Sequence, residues 1–202
     1  MIDAALLPPL HAVLNAPARA LVTRGVKADQ VTLAGFCIGL LALPALWLGM
    51  FGVALVLILL NRLADGLDGI MARQVGESDR GAFLDIALDF VFYATVPLGF
   101  AVSDPQNALA AAVLITAFVG TGSSFLAFAV IAAKRGMRAE DHAAKGIFYL
   151  GGLTEGAETI AFFILICLWP GLFVPLAYIF AMACAVTTLM RWRQGWRVFS
   201  GP

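Results

Sequence analysis

The sequence predicts an all-α integral membrane protein, a bundle of six transmembrane helices preceded by an N-terminal interfacial amphipathic helix. Three observations predict it. Hydrophobic residues make up 61% of the 202 and charged residues 13%, and mean hydropathy is +0.92, outside the range of soluble globular domains. Apolar stretches long enough to cross roughly 30 Å of hydrocarbon recur along the chain. Basic residues gather at alternate ends of those stretches, an asymmetry hidden by a net charge of zero. The whole chain, 1–202, is expected to form one membrane domain, and no nucleic-acid partner is expected.

Residues 1–27 carry Leu6, Leu7, Leu10, Val13, Leu14, Leu21 and Val22 at roughly helical spacing, interrupted by Pro17. That stretch is too broken to span and reads as a helix lying in the interface, with Arg19, Arg24 and Lys27 toward the headgroups. It has no basic leader region and carries Asp3, Pro8 and Pro9, so a cleaved signal peptide is not expected. Spans are expected over 29–50, 52–73, 81–102, 108–133, 146–168 and 172–190. Asp29 is placed to cap the first, and Trp47 falls in the aromatic belt near its far end. Ser103 to Asn107 and Trp169-Pro170-Gly171 read as turns. Gly120, Gly122, Ser123 and Ser124 are small enough to let the fourth span pack closely on a neighbour. Cys37, Cys167 and Cys184 sit in apolar sequence and read as small hydrophobes, with no disulfide expected.

Orientation follows from the cations. Arg19, Arg24 and Lys27 precede the first span; Arg73 and Arg80 lie between the second and third. Lys134, Arg135, Arg138 and Lys145 lie between the fourth and fifth, and Arg191, Arg193 and Arg197 follow the sixth. The turns near 50, 104 and 170 have none. The positive-inside rule then places both termini and the 73–81 connection in the cytoplasm, in a multi-pass protein of the inner (cytoplasmic) membrane.

The chain is organised around Asp65 to Asp89. Asp65, Asp68 and Ala72 share one face of a helix, and Gly81, Asp85 and Asp89 share one face of the next. Folded as an antiparallel hairpin, Asp65 falls opposite Asp89 and Asp68 opposite Asp85, so four carboxylates converge. Each costs about 2.5–3.5 kcal/mol in a bilayer interior, about 10 for the four together. Like charges that close repel unless a cation sits among them. Oxygen-only ligands suit Mg²⁺, Mn²⁺ or Ca²⁺, and the lack of Cys or His argues against zinc. Eight residues along one helix carry Asp65 roughly 12 Å inside the cytoplasmic end, a depth reachable by a nucleotide from water and a lipid from the side.

These residues resemble the signature of the CDP-alcohol phosphotransferase (CDP-alcohol phosphatidyltransferase) family. That signature is Asp, two residues, Asp-Gly, two residues, Ala-Arg, a spacer, Gly, three residues, Asp, three residues, Asp. Asp65, Asp68, Gly69, Ala72, Arg73, Gly81, Asp85 and Asp89 fill its fixed positions. The spacer is seven residues, where eight is the commoner family form. Family members also often open the preceding helix with Pro-Asn or Pro-Asp; Ala28-Asp29 and Thr32 keep that pattern without the proline.

The resemblance implies a phospholipid-synthesis enzyme that moves a phosphatidyl group from CDP-diacylglycerol to the hydroxyl of a small polar alcohol or alcohol phosphate, releasing CMP. It further implies Mg²⁺ or Mn²⁺, as a pair of ions, on Asp65, Asp68 and Asp85 with Asp89 shared, and Asp89 as the base. Asp65, Gly69, Ala72, Arg73 and Gly81 would contact the cytidine nucleotide, and the working unit would be a homodimer among membrane lipid. Arg62, one turn before Asp65, reads either as a counter-ion to the Asp cluster or as a contact to a substrate phosphate. Arg135, Arg138, Glu155 and Glu158 are further candidates for binding the acceptor, with pairing of the two glutamates to an arginine as the alternative. Two other readings stay open. One is a transferase joining a soluble CDP-alcohol to diacylglycerol; the other is a divalent-cation carrier, against which the acids leave no polar path to the outer face.

Overall fold

A computed structural model of the chain describes residues 2–137 and 152–201, with side chains from residue 13 onward. The described residues form helices and short connections, with no strand among them. In chain order the helices are α1 Ile2–Thr23, α2 Ala28–Leu40, α3 Ala42–Trp47, α4 Phe51–Val75, α5 Asp79–Ser103, α6 Ala108–Lys134, α7 Gly156–Leu168 and α8 Phe173–Phe199. Single 3-10 turns, Pro105–Asn107 and Pro170–Leu172, precede α6 and α8.

Local chemistry explains the breaks. Pro44 has no N–H to return to Leu40, and the first expected span is interrupted at Leu41 into α2 and α3. Gly49, at φ +69°, ends that unit before Met50. α4 stops at Gly76, whose φ of +104° is open to glycine, and α5 starts where the Ser78 hydroxyl accepts from Gly81 N at 3.1 Å. The seven-residue spacer is therefore mostly helix, with only 76–78 turning the chain. α1 runs on through Pro17 instead of breaking there, because Leu14 and Ala18 on either side of it bury against Ile70 and Met71 of α4.

Among the described residues four units are long and apolar enough to cross a membrane: Ala28–Trp47, Asp79–Ser103, Pro105–Lys134 and Pro170–Phe199. α4 has the length, 25 residues, but Arg62, Asp65, Asp68 and Arg73 lower its hydropathy. α7 is the larger departure from expectation. A span was expected from 146, yet 152–155 are not helical and α7 opens at Gly156 with only 13 residues. Glu155 and Glu158 form a capping box there, Glu155 at the N-cap and Glu158 in the first turn, so they mark the start of the helix and not the interior of a span.

The core sits between α3, α4, α5, α7 and α8, where Leu46, Ile58, Phe92, Phe100, Phe163 and Phe173 are fully buried. Phe100 and Phe173 stack at 4.4 Å. Cys167 and Cys184 are buried as expected of small hydrophobes, whereas Cys37 faces outward from α2.

α2 lies against α4, and α6 against α8, through small residues. A Cβ at Gly35 would collide with Cβ of Ala64, and one at Gly39 would stand 2.9 Å from Asn61 Nδ2 and from the Phe92 ring. Gly35→Ala must push α2 off the face of α4 that carries the acids. Overpacking of this kind costs about 1–3 kcal/mol. A lower melting temperature in detergent is expected, with activity falling before the protein unfolds; unchanged melting would show that the contact yields freely.

Candidate functional site

The α4–α5 hairpin brings the four aspartates together around one small cavity. Its walls are Asp65 and Asp68 from α4, Asp85 and Asp89 from α5, Thr32 and Gly35 from α2, and Arg62. The four acids converge as their spacing predicts. The cavity holds about 10 Å³, room for about one water.

Arg62 fills the space on the Asp89 side. Its Nη2 donates to Asp89 Oδ1 at 2.6 Å and its Nη1 to Asp89 Oδ2 at 3.3 Å, a forked pair. Nη1 also donates to the Tyr93 hydroxyl at 3.2 Å and lies 3.5 Å from Asp65 Oδ2. Nε donates to Asn61 Oδ1 at 2.8 Å, and Asn61 in turn donates to the Gly35 carbonyl at 3.0 Å. The guanidinium lies over the rings of Phe92 and Tyr93, 4.8 and 5.3 Å from their centroids. Of the two readings of Arg62, this arrangement matches the counter-ion.

A metal's fit can be judged from the acids themselves. Asp68 is 6% exposed, and its buried Oδ2 has no hydrogen-bond partner. A carboxylate oxygen left so is costly unless a cation meets it, and the oxygen donors that share the cavity, Asp65, Asp85, Asp89 and the Thr32 hydroxyl, suit a hard divalent ion. Among the described residues no three His, Cys, Asp or Glu side chains are yet drawn tightly enough to hold one.

The glycines and Arg73 sit at the outer end of the hairpin. Arg73 is exposed and folds back along α4: a Cβ at Gly69 would stand 3.6 Å from its Nη1. Ala72 lies half-buried beside it. At Gly81 a Cβ would stand 3.2 Å from Asp29 Oδ1, and Arg80 Nε donates to Asp29 Oδ2 at 2.7 Å. Asp29 therefore ties the start of α2 to the start of α5 and does not cap its own helix, which Lys27 and Gln30 open.

A second cavity, about 410 Å³, opens on the other side of Asp85 and Asp89. Both carboxylates line both cavities. The far wall carries Thr154, Glu155 and Thr159 around the start of α7 and Arg191 near the end of α8; Tyr93 and Thr121 add hydroxyls. Arg191 Nη1 donates to the Thr121 carbonyl at 3.0 Å, and its guanidinium lies 5.7 Å from the Phe125 ring. Arg191 was expected merely to close the last span at the interface. The readable signal was the polar stripe Cys184, Thr187, Thr188, Arg191 at helical spacing on one face of α8.

Other acceptor candidates are placed elsewhere. Arg135 donates to the carbonyls of Phe199 and Gly201 at 3.0 and 2.8 Å, capping the end of α8 away from both cavities. Glu158 accepts from Glu155 N at 3.1 Å and lines neither cavity. Arg138 lies outside the described residues.

Thr187 holds the α7 wall in place. Its hydroxyl accepts from Leu153 N at 3.0 Å and Thr154 N at 3.3 Å, and meets the Thr154 hydroxyl at 3.1 Å. Thr187→Val keeps the shape and loses these bonds, leaving the buried Thr154 amide unmet at about 1–3 kcal/mol, while the exposed Leu153 amide can turn to water. Thr187→Ser should restore function, whereas Thr187→Val should weaken whatever the larger cavity binds while sparing the acidic pocket. Equal behaviour of Ser and Val in substrate kinetics would sink this.

Comparison with known proteins meets this geometry. The family model described as CDP-alcohol phosphatidyltransferase matches residues 26–191. The chain is 52% identical over 197 residues to the inner membrane protein YnjF of Escherichia coli, covering 97% of this chain and 96% of that one. Crystal structures of the phosphatidylinositol phosphate synthase PgsA1 of Mycobacterium tuberculosis share the fold at 22% identity. The one with CDP-DAG bound has a TM-score of 0.66 over 92% of this chain and 94% of that one. The one with manganese and citrate has 0.65 over 91% and 88%. With the eight motif positions converging on one hairpin and the family model spanning most of its length, the chain belongs to the CDP-alcohol phosphatidyltransferase family.

Proposed function

We propose that the protein transfers the phosphatidyl group of CDP-diacylglycerol to the hydroxyl of a polar alcohol or alcohol phosphate, releasing CMP, at the cytoplasmic side of the inner membrane. One observation carries this: Asp85 and Asp89 form the partition between the acidic pocket and the 410 Å³ cavity lined by Arg191, Glu155 and three threonines. A donor pyrophosphate on one side and an acceptor on the other would meet at that partition. In the reaction the acceptor oxygen bonds to the phosphatidyl phosphorus, the bond from that phosphorus to the CMP oxygen breaks, and the hydroxyl proton passes to Asp89. Asp65, Asp68 and Asp85 would hold a divalent cation, which when bound offsets pyrophosphate charge and favours departure of CMP. Arg73, with Gly69, Ala72 and Gly81 leaving backbone open, suits the nucleotide phosphates at the water-facing end. A volume of 410 Å³ suits a small polyol.

PgsA1, solved with CDP-DAG and with manganese, supports the donor and the ion, and YnjF, an inner membrane protein, supports the location. We retain six spans, with α4 crossing because its acids face the bundle, and the homodimer carried over from the family. Both termini are placed in the cytoplasm, so a reporter fused after Pro202 should signal there and one at Gln106 on the opposite side. The reverse pattern would overturn the orientation.

The test is CMP release from CDP-diacylglycerol by purified protein against a panel of free and phosphorylated polyols, with products separated by thin-layer chromatography. A phosphatidylated alcohol is expected. No release with any acceptor, or product only from a soluble CDP-alcohol and diacylglycerol, would overturn the reading.

A further inference from the structure

We infer that Phe90, seated against Gly122, sets the size of the acceptor that the larger cavity admits. The inference rests on the reading of that cavity as the acceptor site. Phe90 follows Asp89 on α5 and both line the cavity, so the ring forms the wall next to the proposed base. It does not line the acidic pocket. On the far wall stand Thr154 and Thr159, both buried, at the start of α7. That wall is fixed, because the Thr154 amide and hydroxyl meet the Thr187 hydroxyl at 3.3 and 3.1 Å. An acceptor whose hydroxyl is to reach Asp89 has to fit between the ring and these threonines.

A missing side chain holds the ring there. Gly122 is buried on α6 and lines the same cavity. A Cβ at this position would stand 2.5, 3.0 and 3.1 Å from three atoms of the Phe90 ring, closer than the roughly 3.5–4.0 Å at which carbon atoms pack. Any side chain at 122 would therefore displace the ring. Interiors are close-packed, so a displaced ring moves into adjoining open space, and the open space beside both residues is the cavity. Gly120, two residues earlier, meets Thr188 of α8 and does not line the cavity. Of the two glycines, Gly122 is the one whose contact bears on the acceptor.

The test is CMP release by the purified full-length protein from CDP-diacylglycerol and a graded panel of linear polyols, three to six carbons long, free and as their phosphates. The readout is the ratio of kcat/KM for the longest acceptor to that for the shortest. A single methylene at an apolar wall is worth about 10–200-fold. Phe90→Ala should raise the ratio by about 10–100-fold, with Phe90→Leu between it and the wild type. Gly122→Ala should lower the ratio by about 10-fold, and in a Phe90→Ala background it should change nothing, because the ring through which it acts is gone. The KM for CDP-diacylglycerol should stay within a few-fold throughout. An unchanged ratio in Phe90→Ala, or an equal loss for every acceptor with a lower melting temperature, would overturn the inference and leave the proposed reaction standing. An effect of Gly122→Ala that persists without the ring would also overturn it. No CMP release by the wild type with any acceptor would remove the reaction itself and the inference with it. Should Gly122→Ala fail to fold, Phe90→Ala and Phe90→Leu decide.

Discussion

Asp89→Asn is expected to lower the rate of CMP release by about 10²–10⁴-fold, the usual contribution of a general base, and saturating Mg²⁺ or Mn²⁺ should not restore it. Asn matches Asp in size and keeps one oxygen but cannot take a proton. The family resemblance assigns this role to Asp89, which lines both the acidic pocket and the larger cavity, as Asp85 also does. Asp65→Asn, Asp68→Asn and Asp85→Asn should behave differently. Each removes a ligand, weakens ion binding, and should regain part of its activity as metal is raised. Asp68→Asn carries a second signature. It replaces a buried oxygen with no partner, so the variant should melt higher than wild type in metal-free buffer and lose that advantage when metal is added. The measurement is a metal titration of CMP release for the four variants, beside CDP binding and melting curves. Recovery of Asp89→Asn with metal, as far as the others recover, would make it a ligand and not the base.

How much of this was legible in the chain depends on whether a feature is local. The hairpin was, because side-chain direction on a helix follows from residue spacing alone, and two helices joined by three residues, Gly76 to Ser78, have little choice of register. The acid cluster therefore appears where the numbering put it. The start of α7 was not legible. Glu155 and Glu158 look the same in sequence whether they interrupt a span or cap one, and the deciding contact is Thr187, more than thirty positions away. Arg135 depends on distance in the same way: its partners are carbonyls at the end of α8, which no local pattern announces. Arg191 carries the general lesson. Positive charge near the end of a last span ordinarily means an interfacial anchor, and only the packing of α6 on α8 turns that side chain into the wall of a cavity beside Asp85 and Asp89.

Arg191→Ala is accordingly expected to raise the KM for a phosphate-bearing acceptor by about 10–100-fold while leaving the KM for CDP-diacylglycerol within a few-fold. Hydrogen bonds to charged groups contribute about 1.5–3 kcal/mol, and each 1.4 kcal/mol is a factor of ten. The donor side is spared because Arg191 lines the larger cavity and not the acidic pocket. Arg191→Lys should fall between, since an ammonium keeps the charge but loses the planar fork that grips phosphate bidentately. A polyol without phosphate offers the fork nothing to grip, so its KM should hardly move in either variant. That contrast separates recognition from damage. Arg191 also donates to the Thr121 carbonyl and lies over Phe125, tying α8 to α6; if that were its whole role, KM would rise alike for both classes of acceptor, the melting temperature would fall, and Lys would be no better than Ala. A uniform loss of that kind would make Arg191 a strut between helices. The acceptor's phosphate would then have to be met by a group other than Arg191.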